Sequence, residues 1–416
     1  MAIVKPFKGI RPPKEIIAQL ACLPYDVMNS EEAARMAEGK PNSLLHITRA
    51  EIDCEPGIDI HSETVYEKAV SNFKTFREKG WLKQDAEARY YIYAQTMNGI
   101  TQYGIVGAAA CEDYWNGVIK KHELTRPDKE EDRMVLTRYL NANIEPVFFS
   151  YKAVPELDEI VSSIVENETA EYDFVAEDGF GHHFWPVWDA QTNSRIEALF
   201  ATRVESTYVA DGHHRTAAAA RIGLERKAAN PNHTGSEPYN FFMAVHFPDN
   251  QLQIIDYNRV VKDLNGLSKE EFLSRLNEVF EVEEKGSNEF KPTRLHEFSM
   301  YLDGSWYRLM TKPGFYNDSD PIATLDVTVL SNHVLDTILG IEDLRTTQRC
   351  DFVGGIRGLS ELKRRVDAGE HEVAFALFPV SMQQLIDIAD SGNIMPPKTT
   401  WFEPKLRSGL VINPLD

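Results

Sequence analysis

The sequence predicts a mixed α+β fold in several domains, and three observations predict it. The chain's 416 residues are more than one hydrophobic core ordinarily serves, because cores stop growing at about 250–300 residues. Apolar positions at helical spacing alternate along the chain with short runs of β-branched and aromatic residues bounded by turn formers. Beyond residue 265 a helix, a hairpin and two further helices follow one another, which reads as a separate α+β unit.

Changes of texture divide the chain into three regions, with no internal repeat and no low-complexity linker between them. Residues 1–110 hold an early Pro-rich segment, helical patterns over 30–39 and 62–79, and a hairpin over 88–110. Asn98-Gly99, between alternating apolar residues, supplies the hairpin's turn. Residues 111–265 hold a charged helix over 129–140, a strand over 146–151 and a helix over 155–168. A strand and helix around residue 211 follow, and then strands over 239–247 and 252–257. Residues 266–416 hold a helix over 269–279, a hairpin over 298–309 around Asp303-Gly304, helices over 327–339 and 360–368, and a Pro-punctuated terminal arm.

Composition excludes several classes of function. With 43% hydrophobic and 26% charged residues the chain has the make-up of a globular protein, and no apolar run nears the roughly 18 residues of a membrane span. The first residues lack the apolar core and cleavage site of a signal peptide. Four cysteines, Cys22, Cys54, Cys111 and Cys350, lie far apart without a C-x-x-C pair, so free thiols are expected rather than a zinc knuckle or disulfide framework. A cytoplasmic protein without a membrane partner is expected. The formal net charge of −20 argues against nucleic acid as a partner, since phosphate backbones are met by Lys and Arg. Local cations at Lys120/Lys121, Arg364/Arg365 and Lys398/Lys405/Arg407 leave room for a small anionic metabolite.

The densest chemistry is the stretch Tyr208-Val-Ala-Asp-Gly-His-His-Arg-Thr-Ala-Ala-Ala219. Val204, Thr207, Tyr208 and Val209 favour a strand, Asp211 suits an N-cap, Gly212 allows close backbone approach, and the alanines propagate a helix. A helix N-terminus offers unpaired N–H donors and partial positive charge. His213, His214 and Arg215 place further donors where the dipole would ordinarily prefer acids, an arrangement that suits an arriving phosphate. There is no Walker loop. His122-Glu123-Leu-Thr-Arg126 begins like a zincin helix but has Arg126 where the second histidine ligand belongs, so that metal site fails. Adjacent helical side chains diverge by about 100°, which bars His213 and His214 from sharing one metal within the helix.

Asp211-Gly-His-His-Arg215, followed by Thr216-Ala217, resembles the phosphate-binding turn of the ParB/sulfiredoxin-like superfamily. The likeness is closest to its free-serine kinase branch, which carries the same string. Those kinases also have an upstream His-Glu whose glutamate is the base toward the serine hydroxyl. His122-Glu123 stands here in the same order at a longer spacing. Over its full length the chain resembles the bacterial domain-of-unknown-function family 1015. That likeness runs through Pro24-Tyr-Asp-Val27, Lys121-His-Glu123, Glu131-Asp-Arg133, the 211–215 string, Met395-Pro-Pro-Lys398 and Ser408-Gly-Leu410. The resemblance implies a central ParB/sulfiredoxin-like phosphate-binding α/β core over 111–265, an N-terminal α/β region over 1–110, and a C-terminal α+β domain with its arm over 266–416. Two departures narrow it. Sulfiredoxin has its reactive cysteine where His213 stands, which removes thiol chemistry, and partition proteins carry a Glu-Arg-Arg version with a DNA-binding helical domain.

Under phosphoryl transfer, positioning and charge neutralisation carry the catalysis. The amides after Gly212, with Asp211, His213, His214, Arg215 and Thr216, are the expected phosphate site, and Arg215 is its permanently charged fork. Glu123 is the candidate general base, with His214 and Arg215 as catalytic partners. Asp132, in the run Glu130-Glu-Asp-Arg133, is the candidate magnesium ligand, Glu131 being its alternative. His122, Arg133, Asp26, Lys398 and Lys405 are expected around the substrate or in a lid, the last two from the terminal arm. The expected function is a small-molecule phosphotransferase, a free L-serine kinase among the options, using ATP, ADP or pyrophosphate with Mg2+. The alternatives are a non-catalytic nucleotide-binding switch, in which nucleotide closes a homodimer, and a nucleotide hydrolase.

Overall fold

Asn98 and Gly99 adopt φ of 53° and 78°, positive values that few residue types tolerate, and so turn the chain back on itself with the right-handed twist of a tight hairpin. That hairpin sits inside a large sheet of the computed structural model, which describes residues 1–416. The sheet's strands are β1 (Val4–Lys5), β2 (Tyr91–Met97), β3 (Ile100–Ala110), β4 (Ile119–Lys120), β5 (Val147–Tyr151), β6 (Tyr172–Val175), β7 (Gly181–Pro186), β8 (Thr207–Asp211) and β9 (Phe241–Pro248). They run in the order β4-β8-β5-β9-β3-β2-β7-β6, with β1 added to β3. β8 pairs parallel to β4, and β5 pairs parallel to β9; the hairpin strands and their neighbours are antiparallel. Uninterrupted burial of β5 and β9 explains why both read as continuous apolar runs rather than alternating ones.

Helices cover this sheet. They are α1 (Ser30–Ala37), α2 (Glu63–Glu78), α3 (Cys111–Trp115), α4 (Pro127–Leu140), α5 (Pro155–Asn167), α6 (Ala190–Arg203) and α7 (His213–Ala229). Leu157, Ile160 and Ile164 of α5 and Ile196 and Phe200 of α6 share one core with Ile92 and Ile105 of the sheet. Ala217 and Ala220 of α7 share another with Phe149, Val209 and Phe242. The alanine run of α7 therefore does two things: it favours the helix and lets its backbone lie close on the strands. α1, α2 and α4 close a third core with Leu20, Leu44 and Ile412. Asn29 and Glu32 form a capping box at α1, worth about 1 kcal/mol.

Contacts divide the chain into two compact units rather than the three expected. One is Met1–Leu252 together with Pro404–Asp416, and the other is Gln253–Glu403. Texture marks a boundary near 110, but β3 ends there in mid-sheet, hydrogen-bonded to β9 far along the chain. The final residues also return to the larger unit: Asn413–Pro414 pairs with Ala142–Asn143, and bridges join Ile412 to Ile10 and Ser408 to Cys22.

The smaller unit is an antiparallel sheet of β10 (Tyr257–Val261), β11 (Phe280–Gly286), β12 (Glu297–Leu302), β13 (Ser305–Thr311), β14 (Cys350–Gly354) and β15 (Val373–Ala376), ordered β11-β13-β12-β15-β10-β14. Helices α8 (Lys269–Val279), α9 (Asp326–Leu330), α10 (Gly358–Asp367) and α11 (Met382–Asp390) accompany it. The mixed α+β class holds in both units. Two local expectations do not. The strand over 252–257 breaks into Ile254–Ile255 and β10, and the helix over 327–339 gives way after α9 to a π-helical turn, Ser331–Asp336.

Two histidines are enclosed in the large sheet as neutral rings. His246 donates from Nδ1 to the Ile105 carbonyl at 3.2 Å between Phe149 and Phe200, and burial pushes it down to about 4. His182 accepts at Nε2 from Arg407 at 3.2 Å and shares Nδ1 with the Tyr93 hydroxyl at 2.9 Å; burial, helped by Arg407, pushes it to about 3. Folded values below the unfolded one mean that the unfolded chain binds more protons between them. Their contribution is thus present above pH about 6.5 and lost as pH falls toward 4. Asp113, pushed up by burial to about 6, acts with the opposite sign, as do the raised carboxyls of Glu145 and Asp158, while His122 and His213, also lowered by burial, act with the two histidines of the sheet. Urea melts, with hydrogen exchange of β3 and β9 amides as the local reporter, should show the larger unit weakening between pH 7 and pH 4.5. A flat profile over that range would contradict the assignment.

Candidate functional site

β8 ends at Asp211, and Gly212, not Asp211, is the residue before α7: it has φ 89° and ψ 37° and no side chain caps the helix. The left-handed backbone explains the glycine, since other L-residues pay about 1–2 kcal/mol there. It also frees Asp211 from capping. The Asp211 carboxylate instead meets Arg215 at 3.3 Å through Oδ2 and Lys405 at 3.5 Å through Oδ1. Burial alone would raise its carboxyl, but Lys405 and Arg215 outweigh burial and hold it below the ordinary range.

Arg215 folds back beneath the turn. A Cβ on Gly212 would stand 3.2 Å from its guanidinium, which donates from Nη1 to the Pro146 carbonyl at 2.5 Å while its Nε, also buried, makes no hydrogen bond. Burial opposes the charge; Asp26, Asp211 and Glu145 outweigh it and keep the group protonated. The expected phosphate fork is therefore a buried cation acting on the turn from below, 8% exposed.

The two histidines diverge as helical geometry requires. His213 turns inward, edge-on to His122 with ring centroids 4.5 Å apart, and its Nδ1 lies 3.8 Å from Glu123 Oε2. Burial pushes His213 well below its ordinary value, and His122 adds to the effect; burial also takes His122 down to about 4. Both rings are buried and neutral. His214 turns the other way and accepts the Arg126 backbone N–H at Nε2, 3.1 Å. That bond places the loop before α4 against the first turn of α7 and assigns the ring proton to Nδ1. Glu123, in the same loop, keeps 37% of its side chain exposed. Thr216 is not at the surface of the turn: its hydroxyl donates to the Gly212 carbonyl at 3.0 Å and is satisfied within the helix.

A second group of charges adjoins this one. Arg133 lies 3.7 Å over the Tyr25 ring and pairs with Asp132 at 2.5 Å, while Nη1 is 3.6 Å from Glu145 Oε2. A desolvated cation–π contact of this kind contributes about 2 kcal/mol. Glu145 accepts the Tyr25 N–H at 3.0 Å; burial raises its carboxyl, and Arg215 and Arg133 draw it partway back. Exposed Asp26, beside Tyr25, acts electrostatically on both Arg215 and Glu145. Glu145 and Tyr25 are the members that sequence reasoning missed. Nothing in periodicity marks a single acid ahead of a strand; only the Pro24-Tyr-Asp-Val27 string pointed nearby.

Two expected site residues stand elsewhere or are otherwise engaged. Asp132, proposed for magnesium, already accepts from Arg133, from the Tyr66 hydroxyl at 2.7 Å and from His61 at 2.8 Å, and Glu131 pairs with Arg138. No cluster of three or more His, Cys, Asp or Glu side chains is arranged to hold a metal ion, so the donor set does not fit a protein-built magnesium site. Lys398 belongs to the smaller unit, where its carbonyl accepts from Arg259 at 2.9 Å. Lys405, from the same arm, reaches Asp211 because the chain re-enters the larger unit at residue 404.

The family described as "Protein of unknown function (DUF1015)" matches residues 4–328, and the chain belongs to it. No curated protein matches the chain. Among solved structures it is similar to "Free serine kinase in complex with AMP", at 14% identity and a TM-score of 0.37 over 74% of this chain and 91% of that one. It is also similar to "SbnI with C-terminal truncation from Staphylococcus aureus", at 10% identity, TM-score 0.37, and 73% and 85% coverage. A third is "Conserved hypothetical protein from Pyrococcus furiosus", at 12% identity, TM-score 0.33, and 72% and 90% coverage.

Gly212→Ala tests the turn. The left-handed backbone alone predicts a loss of about 1–2 kcal/mol in urea denaturation, and contact with the Arg215 guanidinium 3.2 Å from the added Cβ makes the loss larger. Gly117→Ala, at φ 73° with nothing within 4 Å of the added Cβ, controls for backbone conformation alone. Equal losses for the two variants would show that the Arg215 contact is idle.

Proposed function

We propose that this member of the family is a small-molecule phosphotransferase whose donor phosphates sit at the first turn of α7. The observation that carries the reading is the uncapped start of α7, at a left-handed glycine, with Glu123 held beside it by the His122–His213 pair. An uncapped helix start lacks the side-chain acceptor that ordinarily satisfies one of its first amides, so those amides and the dipole favour an anion from outside. Lys405 and the buried Arg215 supply positive charge behind the turn. The neutral histidines add shape and donors rather than charge.

The chemistry assigned to these groups is an in-line transfer. Glu123 takes the proton from an acceptor hydroxyl; that oxygen forms a bond to the terminal phosphorus of the donor, and the bond to the leaving phosphate oxygen breaks, its electron pair staying with the leaving group. Arg126, whose N–H binds His214, ties the loop carrying Glu123 to the turn, so base and phosphate site move as one body. The donor is a nucleotide (ATP or ADP) or pyrophosphate, the acceptor is free L-serine or a related hydroxylated metabolite, and any Mg2+ arrives with the donor rather than in a protein cage. The ParB/sulfiredoxin-like character of this core is part of the same proposal.

Offering serine and other hydroxylated metabolites with ATP, ADP or pyrophosphate and magnesium should yield a phosphorylated product. Glu123→Gln should lower kcat by about 100-fold or more, the range for loss of a general base, with donor affinity kept. His214→Ala should loosen the loop and weaken both. Tight nucleotide binding without product from any pair would overturn transfer and leave a nucleotide-binding switch, in which nucleotide closes a homodimer. Release of phosphate without an acceptor would instead indicate a hydrolase.

A further inference from the structure

At the far end of α7 the larger unit carries a second concavity, of about 490 Å3, between α3, the C-terminal half of α7, the first residues of the chain and the start of β9. That volume lies within the 300–1,000 Å3 typical of small-ligand pockets. Three large apolar side chains on its walls face water: Ile3 at 43%, Trp115 at 50% and Leu224 at 52% exposure. Single exposed apolar residues are ordinary, whereas several converging on one concavity mark a binding surface.

The floor and one wall are stiff. α3 meets α7 at Gly223, where a Cβ would stand 2.6 Å from Cys111 Sγ and 2.9 Å from the Tyr239 carbonyl. The loop after α7 is braced by His233 and Asn230, both bonded to the Tyr239 hydroxyl at 3.0 and 2.9 Å. Burial pushes the Cys111 thiol up to about 12, so the floor is chemically inert.

Charge selects the ligand. Lys5, Lys227 and one acid, Glu112, line the groove, and in a chain of net charge −20 neither lysine forms an ion pair with Glu112 or any other carboxylate of the protein. Lys5 rests instead 4.6 Å over the Phe241 ring. Lys227 also answers the C-terminal dipole of α7, but Lys5 has no such role. A cation held over an aromatic ring, with a second on the same groove and neither paired to a carboxylate, is short of an anion. We propose that the groove binds a small organic monoanion with an aromatic or branched apolar body, its head taken by Lys5 and Lys227 and its body by Trp115, Leu224 and Phe241. The site is separate from the turn: His213 and Leu224 lie on one helix, about 16 Å apart along the axis at 1.5 Å per residue. It does not depend on the phosphotransferase reading.

Calorimetric titration of the full chain with 3-phenylpropionate, and with its uncharged amide, tests the site. The carboxylate should bind once per chain and at least tenfold more tightly than the amide. Lys5→Ala with Lys227→Ala should bring the two within twofold of each other, with circular dichroism and the urea midpoint unchanged. Leu224→Glu, at an exposed position, should abolish binding of both, and saturating ADP should leave the affinity for the carboxylate unaltered. Equal affinity for acid and amide, no saturable binding of either, or competition by ADP would overturn the proposal. So would a dimer in sedimentation that Leu224→Glu disperses, which would make the groove a contact between copies.

Discussion

The turn after β8 depends on one buried guanidinium. Arg215 is the fourth residue after Asp211, and from that position it pairs with the Asp211 carboxylate, hydrogen-bonds the Pro146 carbonyl and fills the space a side chain on Gly212 would need. Three segments are tied by it: the end of β8, the residue leading into β5, and the first turn of α7. Removing one partner from such a buried group costs about 3–5 kcal/mol, because the charge left behind is desolvated and unpaired. The acids around Arg215 are therefore a condition for the fold of this region as well as for its electrostatics.

Around that cation the charges form one connected arrangement. Lys405 answers the other oxygen of Asp211, Glu145 lies between Arg215 and Arg133, and Arg133 is closed in by Tyr25 and Asp132. Positive and negative groups alternate from the C-terminal segment through the turn to the N-terminal helices. Gly212 itself brings no side chain to the turn, so the helix starts without a side-chain cap. The histidines fit the same logic. In the low-dielectric pocket behind Glu123 they are neutral, so His213 and His122 hold the loop by shape, while His214 holds it by a bond to the Arg126 amide.

Much of this was legible in the sequence, and the parts that were not share a cause. The strand, left-handed glycine and alanine-rich helix follow from local preferences, as do the Asn98-Gly99 and Asp303-Gly304 hairpins. Asp211 as N-cap was a fair local reading. It fails because Arg215 and Lys405, one a turn away and one near the C-terminus, compete for the carboxylate. Divergence of His213 and His214 was implicit in the helical period, but which one turned inward depended on His122. Glu145 carries no local pattern at all, since its role exists only once β5, α4 and α7 are assembled. The same reason hides the unit boundaries: β3 and β9 lie side by side though well over a hundred residues apart, and residues 404–416 return to a unit that the chain had left. Lys398 and Lys405 look alike in the arm, yet the chain's re-entry at residue 404 divides them between units.

A crystal structure of the protein with ADP decides whether the first turn of α7 receives phosphate. Phosphate oxygens should lie within about 3 Å of the backbone nitrogens that follow Gly212, with Lys405 and Glu123 bordering the bound group and Arg215 still beneath the turn. Nucleotide bound elsewhere with this turn unchanged, or phosphates held by side chains alone without the α7 amides, would contradict that placement.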